Sequence, residues 1–319
     1  MRMTSASRLS RRAFLVAAAL LAAFANIGAR AQVLETVESG TSTVRVDGNV
    51  VADDSDAQTD GRVSTVAIFG SASTPEVRTA ARSAQNGELA SNVRMDDKFQ
   101  FSNTLVTETI SAATLVFHSS PDNALLRHAS LDFTLPASFM EVTNFGEVPN
   151  NALEMVLLAD LRVCFAAVCG LGDSVFGFQS ILTASFQSFS WSAIATGAPS
   201  RDLDPLRHPV ITDGVVAFER TTTLEFAAFH GHVDLGLVPS TAPPPVEYQL
   251  QTRGSGRLLA NIGLAGINDP FTLATDPVPG GALSLNFAPV AAVPEPEIAL
   301  LMAGGLAFFS GAMRRRPRR

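Results

Sequence analysis

The chain has few of the side chains on which sugar-binding proteins and redox enzymes most often rely. It contains one tryptophan, one tyrosine and two cysteines, and Lys98 is its single lysine. Sugar-binding faces usually stack pyranose rings on exposed aromatic side chains. With only Trp191 and Tyr248 present, a lectin with several aromatic platforms is not expected. Trp191 lies among alternating apolar residues, which favours a position in the core.

Sequence motifs of several enzyme classes are also missing. The glycine-bearing segment Arg253–Arg257 precedes a predicted strand rather than a helix, so it matches neither a phosphate loop nor a dinucleotide fingerprint. No Gly-x-Ser-x-Gly nucleophile elbow occurs. Acidic residues are plentiful, but the sequence places no pair at the separation that a glycosidase requires. We therefore expect a protein that is not an enzyme, and a secreted hydrolase is the least favoured alternative.

Periodicity favours strands through most of the chain. Short segments rich in aromatic or β-branched residues, several with apolar–polar alternation, are separated by clusters of Gly, Pro, Asn and Asp, as at Asp213-Gly214. No regular helical partners lie between them, so we predict an all-β fold, a β-sandwich or jelly-roll-like body over residues 63–290. The predicted strands are 63–69, 99–102, 114–118, 130–135, 156–165, 174–182, 186–191, 215–220, 222–229, 246–251, 258–264 and 283–287.

Two segments leave alternatives open. Pro75–Ala90 is the clearest candidate for a helix because it is rich in alanine and Pro75 suits a first turn. Its poor apolar face and Gly87 are equally compatible with a loop or an edge strand. Residues 32–62 have few large apolar side chains and many Ser, Thr and Asp residues. We expect an acidic extended arm or edge strands there rather than a separate domain.

The two cysteines flank a candidate hairpin, Val163–Cys169. If Ala166 and Ala167 form the turn, Cys164 and Cys169 lie opposite each other and can form a disulfide. Alanine is not favoured in such turns, so the register stays open. An oxidising compartment favours the bridge, and the spacing differs from the Cys-x-x-Cys of redox and zinc sites.

Two groups of residues are weak candidates for metal binding. Asp53, Asp54, Asp56 and Asp60 form an oxygen-rich segment that suits calcium, but it lacks the spacing of an EF-hand loop, and a solvated acidic loop is the default interpretation. His230-Gly231-His232 places two imidazoles on one face of a strand, with Asp234 on the same face. A polar strand end explains these histidines equally well, and no third ligand on another strand can be identified.

The N-terminus has the three parts of a secretory signal peptide, predicted over residues 1–31. Basic residues precede an apolar run at 13–25, and Ala29 and Ala31 form a small-x-small cleavage site before Gln32. Arg11 and Arg12 lie in a segment that resembles the twin-arginine export motif. The twin-arginine and general export pathways both stay open.

The C-terminus, residues 293–319, combines three features in a fixed order. Pro294, Glu295 and Pro296 form an extended polar break, because proline fixes φ and lacks a backbone donor. The apolar segment Ile298–Met313 follows, with 16 residues. As a helix it spans about 24 Å, short of the roughly 30 Å of a bilayer core, a difference that slight thinning accommodates. Five arginines then hold the end in the cytoplasm: Arg314, Arg315, Arg316, Arg318 and Arg319.

This ordered tail resembles the PEP-CTERM sorting signal, which is recognised by exosortase, a membrane-embedded cysteine transpeptidase of Gram-negative bacteria that make exopolysaccharide. The resemblance covers only residues 293–319, and Glu297 differs from the small residue expected after the motif. It implies export, transient anchoring in the inner membrane by the C-terminal helix, and cleavage near the motif. It also implies delivery to the cell surface or extracellular matrix.

Removal of both processed ends makes the protein more acidic. Ten arginines and two glutamates leave with the ends, so the net charge changes from −7 to about −15. An acidic body repels nucleic acid and anionic membranes, and suits divalent cations or a crowded matrix. We expect a structural or adhesive surface or matrix protein whose partners are the export machinery, an exosortase-type transpeptidase and exopolysaccharide. The alternative is a carbohydrate- or calcium-binding module, with calcium as the one cofactor considered.

Overall fold

The computed structural model of the chain describes residues 29–30, 33–70, 76–84, 88–97, 104–117, 126–164, 173–197, 203–239, 242–257, 259, 261–267 and 282–287. Within these ranges the backbone forms eighteen strands and one four-residue helix, α1 (Asp204–Arg207), so the all-β prediction is confirmed. In chain order the strands are β1 (Ala29–Arg30), β2 (Val33–Val46), β3 (Asn49–Thr59), β4 (Val63–Phe69), β5 (Glu76–Ala84), β6 (Glu88–Asp97), β7 (Thr104–Phe117), β8 (Leu126–Leu135), β9 (Ser138–Phe145), β10 (Leu153–Val163), β11 (Ser174–Ala184), β12 (Phe189–Gly197), β13 (Val210–Val216), β14 (Glu219–Phe226), β15 (Phe229–Pro239), β16 (Val246–Arg257), β17 (Asn261–Ile267) and β18 (Ala282–Phe287).

The described strands pair antiparallel in three sheets. The seven-stranded front sheet has the order β12-β11-β10-β16-β7-β2-β3. The seven-stranded back sheet has the order β13-β14-β9-β17-β6-β5-β4, and the four-stranded small sheet has the order β1-β18-β8-β15. All of these strands belong to one compact unit, Ala29–Phe287.

The front and back sheets pack face to face, and glycines allow their close approach. A Cβ atom on Gly254 of β16 would lie 2.4 Å from Sδ of Met95 on β6. A Cβ atom on Gly263 of β17 would lie 2.8 Å from Sδ of Met155 on β10. Side chains of each sheet therefore fill the space above glycines of the other. This layered arrangement is consistent with the predicted β-sandwich.

The small sheet continues the back sheet past a short break in two strands. Phe226 of β14 pairs with Ser138 of β9, and three residues further on Phe229 of β15 pairs with Leu135 of β8 in the same register. Pro136 lies in the break, where its missing N–H interrupts the ladder. β8 with β9, and β14 with β15, therefore each pass from one sheet into the other.

The back and small sheets together cover the inner face of the front sheet. Phe176 of β11 pairs with Leu161 of β10, which faces the same side of the front sheet as Met155. The ring of Phe176 lies 4.7 Å from that of Phe133 on β8 in the small sheet. One layer of the body is thus the front sheet, and the other layer is made of the back and small sheets.

The space between the layers has two chemically different parts. In the first, which we call the hydroxyl half, buried Ser and Thr side chains of β2, β4, β6, β7 and β16 join the front and back sheets. In the second, the aromatic half, Phe and Tyr side chains fill the space among β8, β11, β14, β15 and β16. The buried hydroxyl residues include Ser42, Thr65, Ser91, Thr107, Thr109 and Thr252, and the aromatic residues are Phe133, Phe176, Phe178, Phe226, Phe229 and Tyr248.

The helix considered for Pro75–Ala90 is wrong, and so are the loop and edge-strand alternatives for most of it. β5 pairs with β4 on one side and β6 on the other, so it lies inside the back sheet. Ala80 and Ala81 are fully buried there. Packing of these small residues between neighbouring strands overrides the helix propensity of alanine.

Other predictions differ from the structure in detail. Asp213 and Gly214, expected in a turn, lie inside β13, and the turn that follows is formed by Ala217 and Phe218, with φ of 54° at Ala217. Within residues 32–62, β3 is an edge strand, whereas β2 is an interior strand paired with both β3 and β7. The segment is therefore part of the front sheet rather than an arm.

Several predictions fall on residues outside the described ranges. They are the signal-peptide helix with Arg11 and Arg12, cleavage residues Ala31 and Gln32, the sorting motif Pro294–Pro296 and the apolar tail with its arginines. Ala29 is described and lies in β1, so the predicted cut after Ala31 falls between β1 and β2. In the described part of the chain, no helix has the length and apolar character needed to cross a membrane.

Candidate functional site

The outer face of the front sheet carries rows of side chains that cross several strands. Because side chains alternate along a strand, residues paired across strands share a face. Gln249 of β16 pairs with Asp160 of β10, which pairs with Gly177 of β11, and Gly177 pairs with Thr196 of β12. A parallel row contains Gln251, Leu158, Gln179 and Ile194 in the same order of strands. These two rows build the candidate site.

A depression lies where Gly177 interrupts the rows, and we call it the Gly177 depression. Its volume is about 310 Å³. Gly177 contributes no side chain, and a Cβ atom there would lie 3.1 Å from Oγ1 of Thr196. The depression is therefore open because the central residue of the row is glycine. Its polar lining consists of Asp160, Arg162, Gln179, Thr196, Gln249 and Gln251.

One wall of the depression is a fixed charge pair. Nε of Arg162 lies 2.5 Å from Oδ2 of Asp160, and the hydroxyl of Ser174 donates to Oδ1 of Asp160 at 2.7 Å. The side chains of Arg162 and Asp160 are 21% and 15% exposed. Because the contact uses Nε, the terminal guanidinium nitrogens keep further N–H donors. The pair supplies both a donor and an acceptor at a defined place.

Amide side chains supply the other polar groups. Nε2 of Gln251 donates to Oε1 of Glu108 on β7, which orients the amide. Gln249 and Gln179 present further amides on neighbouring strands, and Thr196 adds a hydroxyl. Leu158 and Ile194 supply apolar surface, and Ile194 is 58% exposed. Neutral donors and acceptors beside small apolar areas suit a polyhydroxylated ligand, because each hydroxyl both donates and accepts.

The lining offers little for hydrolysis. Asp160 is the one carboxylate among the lining residues, and retaining and inverting glycosidases use two. The chemistry of the lining is that of neutral hydrogen-bonding groups beside one charge pair.

The predicted histidine site forms pairs rather than a cluster. On the outer face of the small sheet, Nδ1 of His232 lies 2.6 Å from Oδ1 of Asp132, and Nε2 of His128 lies 3.4 Å from Oδ1 of Asp234. Nδ1 of His230 lies 2.9 Å from the hydroxyl of Thr134. Among the described residues, no three potential ligands converge on one point. Metal binding by His230 and His232 stays a prediction.

The predicted calcium ligands are engaged separately. Asp54 accepts a hydrogen bond from N–H of Val66 at 2.9 Å, and Asp60 accepts one from N–H of Thr36 at 2.8 Å. Asp56 accepts from its neighbour's backbone N–H and from a glutamine amide. Asp53 lies on β3 with Asp54 and Asp56. These contacts tie β3 and its following turn to β2 and β4, and calcium binding stays a prediction.

A buried carboxylate that the sequence did not single out lies beside this segment. Glu38 of β2 is fully buried, and among described atoms its Oε1 has no hydrogen-bond partner. Oε2 accepts a long hydrogen bond from N–H of Gly61, 3.4 Å. Burial raises the pKa of Glu38, the Gly61 hydrogen bond opposes this, and the charge of Asp60 adds to the increase.

The remaining singled-out residues are structural. Tyr248 is fully buried, which raises its pKa far above the ordinary value, and Trp191 packs partly buried against the core. Cys164 follows β10, is 6% exposed and is disulfide-bonded. Cys169, the other cysteine of the chain, lies outside the described residues, so the predicted hairpin is not described.

Sequence patterns missed the Gly177 depression. Sequence patterns predict strands over most of β10 and β11 and over the first half of β16, but they do not say which residues of different strands lie side by side. The available signal was Gln249 and Gln251, two polar residues at the end of a predicted strand. Comparisons with protein families, with curated proteins and with solved structures find no match for this chain.

Proposed function

We propose that the chain is an exported structural or adhesive protein of the cell surface or exopolysaccharide matrix. The observation that carries this proposal is the ordered tail: Pro294-Glu295-Pro296, an apolar segment and a terminal arginine cluster. Flanked by a signal peptide at the other end, the tail suits export, transient anchoring in the inner membrane and processing by an exosortase-type transpeptidase. In this proposal host enzymes act on the chain, and the chain itself catalyses nothing.

The body supports this role by its charge and its surfaces. Its net charge of about −15 after processing favours solubility in a hydrated matrix. An all-β body with broad sheet faces offers extended contact surfaces. A β-sandwich or jelly-roll-like body between a signal helix and a membrane helix is the arrangement we propose for the unprocessed chain.

The sorting proposal is tested by the intact mass of the protein from its native cells, fractionated into membrane, surface and medium. We expect a mass that ends near Val293–Glu297 outside the membrane fraction. Changing Pro294 and Pro296 to alanine should retain the full tail in the membrane. The matched control changes Pro277 and Pro279, another Pro-x-Pro, and should be processed normally. A full tail on the wild-type protein would make the segment a plain anchor and end the exosortase proposal.

A second candidate function is polysaccharide binding, and the Gly177 depression favours it. The lining combines amides, a hydroxyl and one charge pair with apolar side chains. Since the acidic body repels polyanions, we propose a neutral, hydroxyl-rich polysaccharide as the ligand. A uronic-acid polymer is a poorer fit, because the acidic body repels it and the lining of the depression offers a single cationic side chain.

Two variants test the polysaccharide proposal. Arg162→Gln removes the cation of the depression, and Gly177→Val fills it. Each should weaken binding to a neutral polysaccharide by about tenfold or more, the effect of losing one charged hydrogen bond or of blocking the site. Arg253→Gln, an exposed arginine on the same sheet face, is the control and should bind as the wild type. Binding lost equally in Arg253→Gln would indicate a diffuse charge effect, and turnover of any polysaccharide would overturn the non-enzyme proposal.

A further inference from the structure

Most described edge strands are protected against pairing with another chain. At the edge of the front sheet, Nη2 of Arg207 in α1 donates to the carbonyl of Ala195 on β12 at 3.1 Å. At the far edge of the back sheet, Asp54 accepts from N–H of Val66 on β4. In each case a side chain occupies a backbone group that a further strand would need.

The other protected edges use charge or irregularity. β3, at the second edge of the front sheet, carries Asp53, Asp54 and Asp56. β15, at the edge of the small sheet, has a bulge between Asp234 and Gly236 and ends at Pro239. Charges, bulges and proline all discourage edge-to-edge pairing. β1, at the opposite edge of the small sheet, is only two residues long.

β13, the remaining edge strand of the back sheet, pairs in an unbroken register and carries one charged residue, Asp213. It pairs with β14 alone, and all seven of its residues are exposed. Its apolar side chains and that of the following turn are open to solvent: Val210 is 65% exposed, Ile211 38%, Val215 57%, Val216 78% and Phe218 77%. An apolar, regular and unpaired strand is the kind of edge to which another strand adds.

The one charge on β13 is already neutralised. Nε and Nη2 of Arg220 donate to the two carboxylate oxygens of Asp213, each at 2.9 Å, and the hydroxyl of Thr222 donates at 2.7 Å. The hydrogen bonds from Arg220 lower the pKa of Asp213, with a smaller contribution from Thr222. The charge of Asp213 is therefore balanced by Arg220 of the same chain.

The sequence of β13 is complementary to itself. Apolar residues lie at both ends, Val210 and Ile211 before Asp213, and Val215 and Val216 after it. In an antiparallel pair centred on Asp213, Val210 of each copy lies opposite Val216 of the other, and Ile211 opposite Val215. The members of each pair lie on the same face, since side chains alternate along both strands. One two-fold axis brings the apolar residues at both ends of the strand into contact. Two-fold symmetry is the commonest symmetry of homo-oligomers.

We propose that two copies of this chain associate through their β13 strands, joining their back sheets into one continuous antiparallel sheet. This goes beyond the sorting and binding functions above and does not depend on them. In a matrix protein, such pairing gives each unit two copies of every ligand-binding surface, and hence avidity for a polymer.

Sedimentation velocity over a range of concentrations, with the protein purified from its cells, tests the pairing. We expect a monomer–dimer equilibrium for the wild type. Val216→Lys places a charge opposite Val210 twice in each dimer and should raise the dissociation constant by about tenfold or more. Leu237→Lys, which adds the same charge at a 68% exposed position on protected β15, should not change it.

An engineered charge pair distinguishes this register from nonspecific association. Val210→Glu together with Val216→Lys places each new glutamate opposite a new lysine of the other copy, so the dimer should return to within about threefold of the wild-type dissociation constant. A wild-type monomer at every soluble concentration would overturn the proposal. So would a dimer insensitive to Val216→Lys, which would assign association to another surface or to a bound polymer. Failure of the double variant to restore the dimer would overturn the two-fold pairing.

Discussion

The hydroxyl half and the aromatic half of the interior join the same two layers by different interactions. In the hydroxyl half, the Ser42 hydroxyl lies 3.0 Å from that of Thr65, and the Ser91 hydroxyl lies 2.9 Å from that of Thr252. In the aromatic half, Phe176 stacks on Phe229 with ring centroids 5.7 Å apart. Hydrogen bonds are directional and contribute modest net free energy, whereas buried rings contribute more and constrain geometry less.

This difference indicates that the two halves of the core contribute to the fold in different ways. The short hydroxyl side chains bridge the front and back sheets at fixed positions, so they determine how the sheets are aligned. The aromatic side chains bury large apolar areas and supply most of the stabilisation in their half. Substitutions in each half should therefore differ in the size of their effect and in how they combine.

The largest effect is expected for Phe176→Ala in the aromatic half. Phe176 is fully buried and contacts the rings of Phe133 and Phe229. Its truncation should lower the free energy of unfolding by about 3–5 kcal/mol, from lost burial and the cavity left behind. Urea denaturation measures this. Phe218→Ala, at a 77% exposed ring, is the control and should change stability by less than about 0.5 kcal/mol. Equal losses in both variants would show that the aromatic half is not tightly packed.

A smaller loss is expected for Gly254→Ala, which lies on β16 within the hydroxyl half, opposite Thr107 of β7. The added methyl would lie 2.4 Å from Sδ of Met95 and 3.0 Å from Oγ1 of Thr107. Overpacking of this kind costs about 1–3 kcal/mol, and the flexible methionine favours the lower part of that range. Thermal unfolding measures it. Gly214→Ala, in open space on β13, is the control, and a loss confined to Gly254 supports the close approach of the sheets.

In the hydroxyl half, Ser91→Ala should lower the free energy of unfolding by about 1–2 kcal/mol. The change removes the hydrogen bond to Thr252 and another to the carbonyl of Thr109 at 3.3 Å, and it leaves buried polar atoms without partners. Combining it with Thr252→Val should cost less than the sum of the single changes, since neither partner is then left unpaired. Strict additivity of the two losses, measured in urea, would argue against a hydrogen bond that joins the sheets.

The hydroxyl half also explains where sequence patterns succeed and where they fail. In β7 the sequence predicts a strand only from residue 114 onward, and in the earlier part the buried residues include Thr107, Thr109 and Ser111, while Val106 and Ile110 lie on the outer face. A rule that places the apolar face of a strand in the core would therefore select the wrong face of this part of β7. Period-2 patterns therefore predict the all-β class, whereas the inner face depends on the opposite sheet, which no local pattern contains.

Long-range register limits prediction of the candidate site in the same way. Asp160, Gly177 and Gln249 belong to three different strands, and only the pairing of β10 with β11 and β16 brings them together. Each residue alone is an ordinary outward position on a strand. By contrast, the proposed sorting signal is contiguous, so residues 293–319 lead to a prediction that needs no knowledge of the fold. A site assembled from distant strands gives no such contiguous signal.

The smallest predicted effect is a gain in the free energy of unfolding rather than a loss. It concerns Glu38 at the margin of the hydroxyl half. Burial raises its pKa, so the native state binds this proton more tightly than the unfolded state does. The stability that Glu38 contributes is complete below its ordinary pKa and is lost as pH rises through the elevated value. Glu38→Gln keeps an acceptor for Gly61 and removes the buried charge.

Glu38→Gln should therefore raise the free energy of unfolding at neutral pH by about 1 kcal/mol, the scale of one poorly satisfied buried polar group, and change it little in mild acid. Melting temperatures from mild acid to neutral pH measure this, and the variant should show a smaller decline than the wild type. Glu219→Gln, at an exposed position on β14, is the matched control. An unchanged pH profile in Glu38→Gln would mean that water or relaxation of the β2–β4 corner satisfies the carboxylate. The hydroxyl half would then tolerate a buried charge at this position.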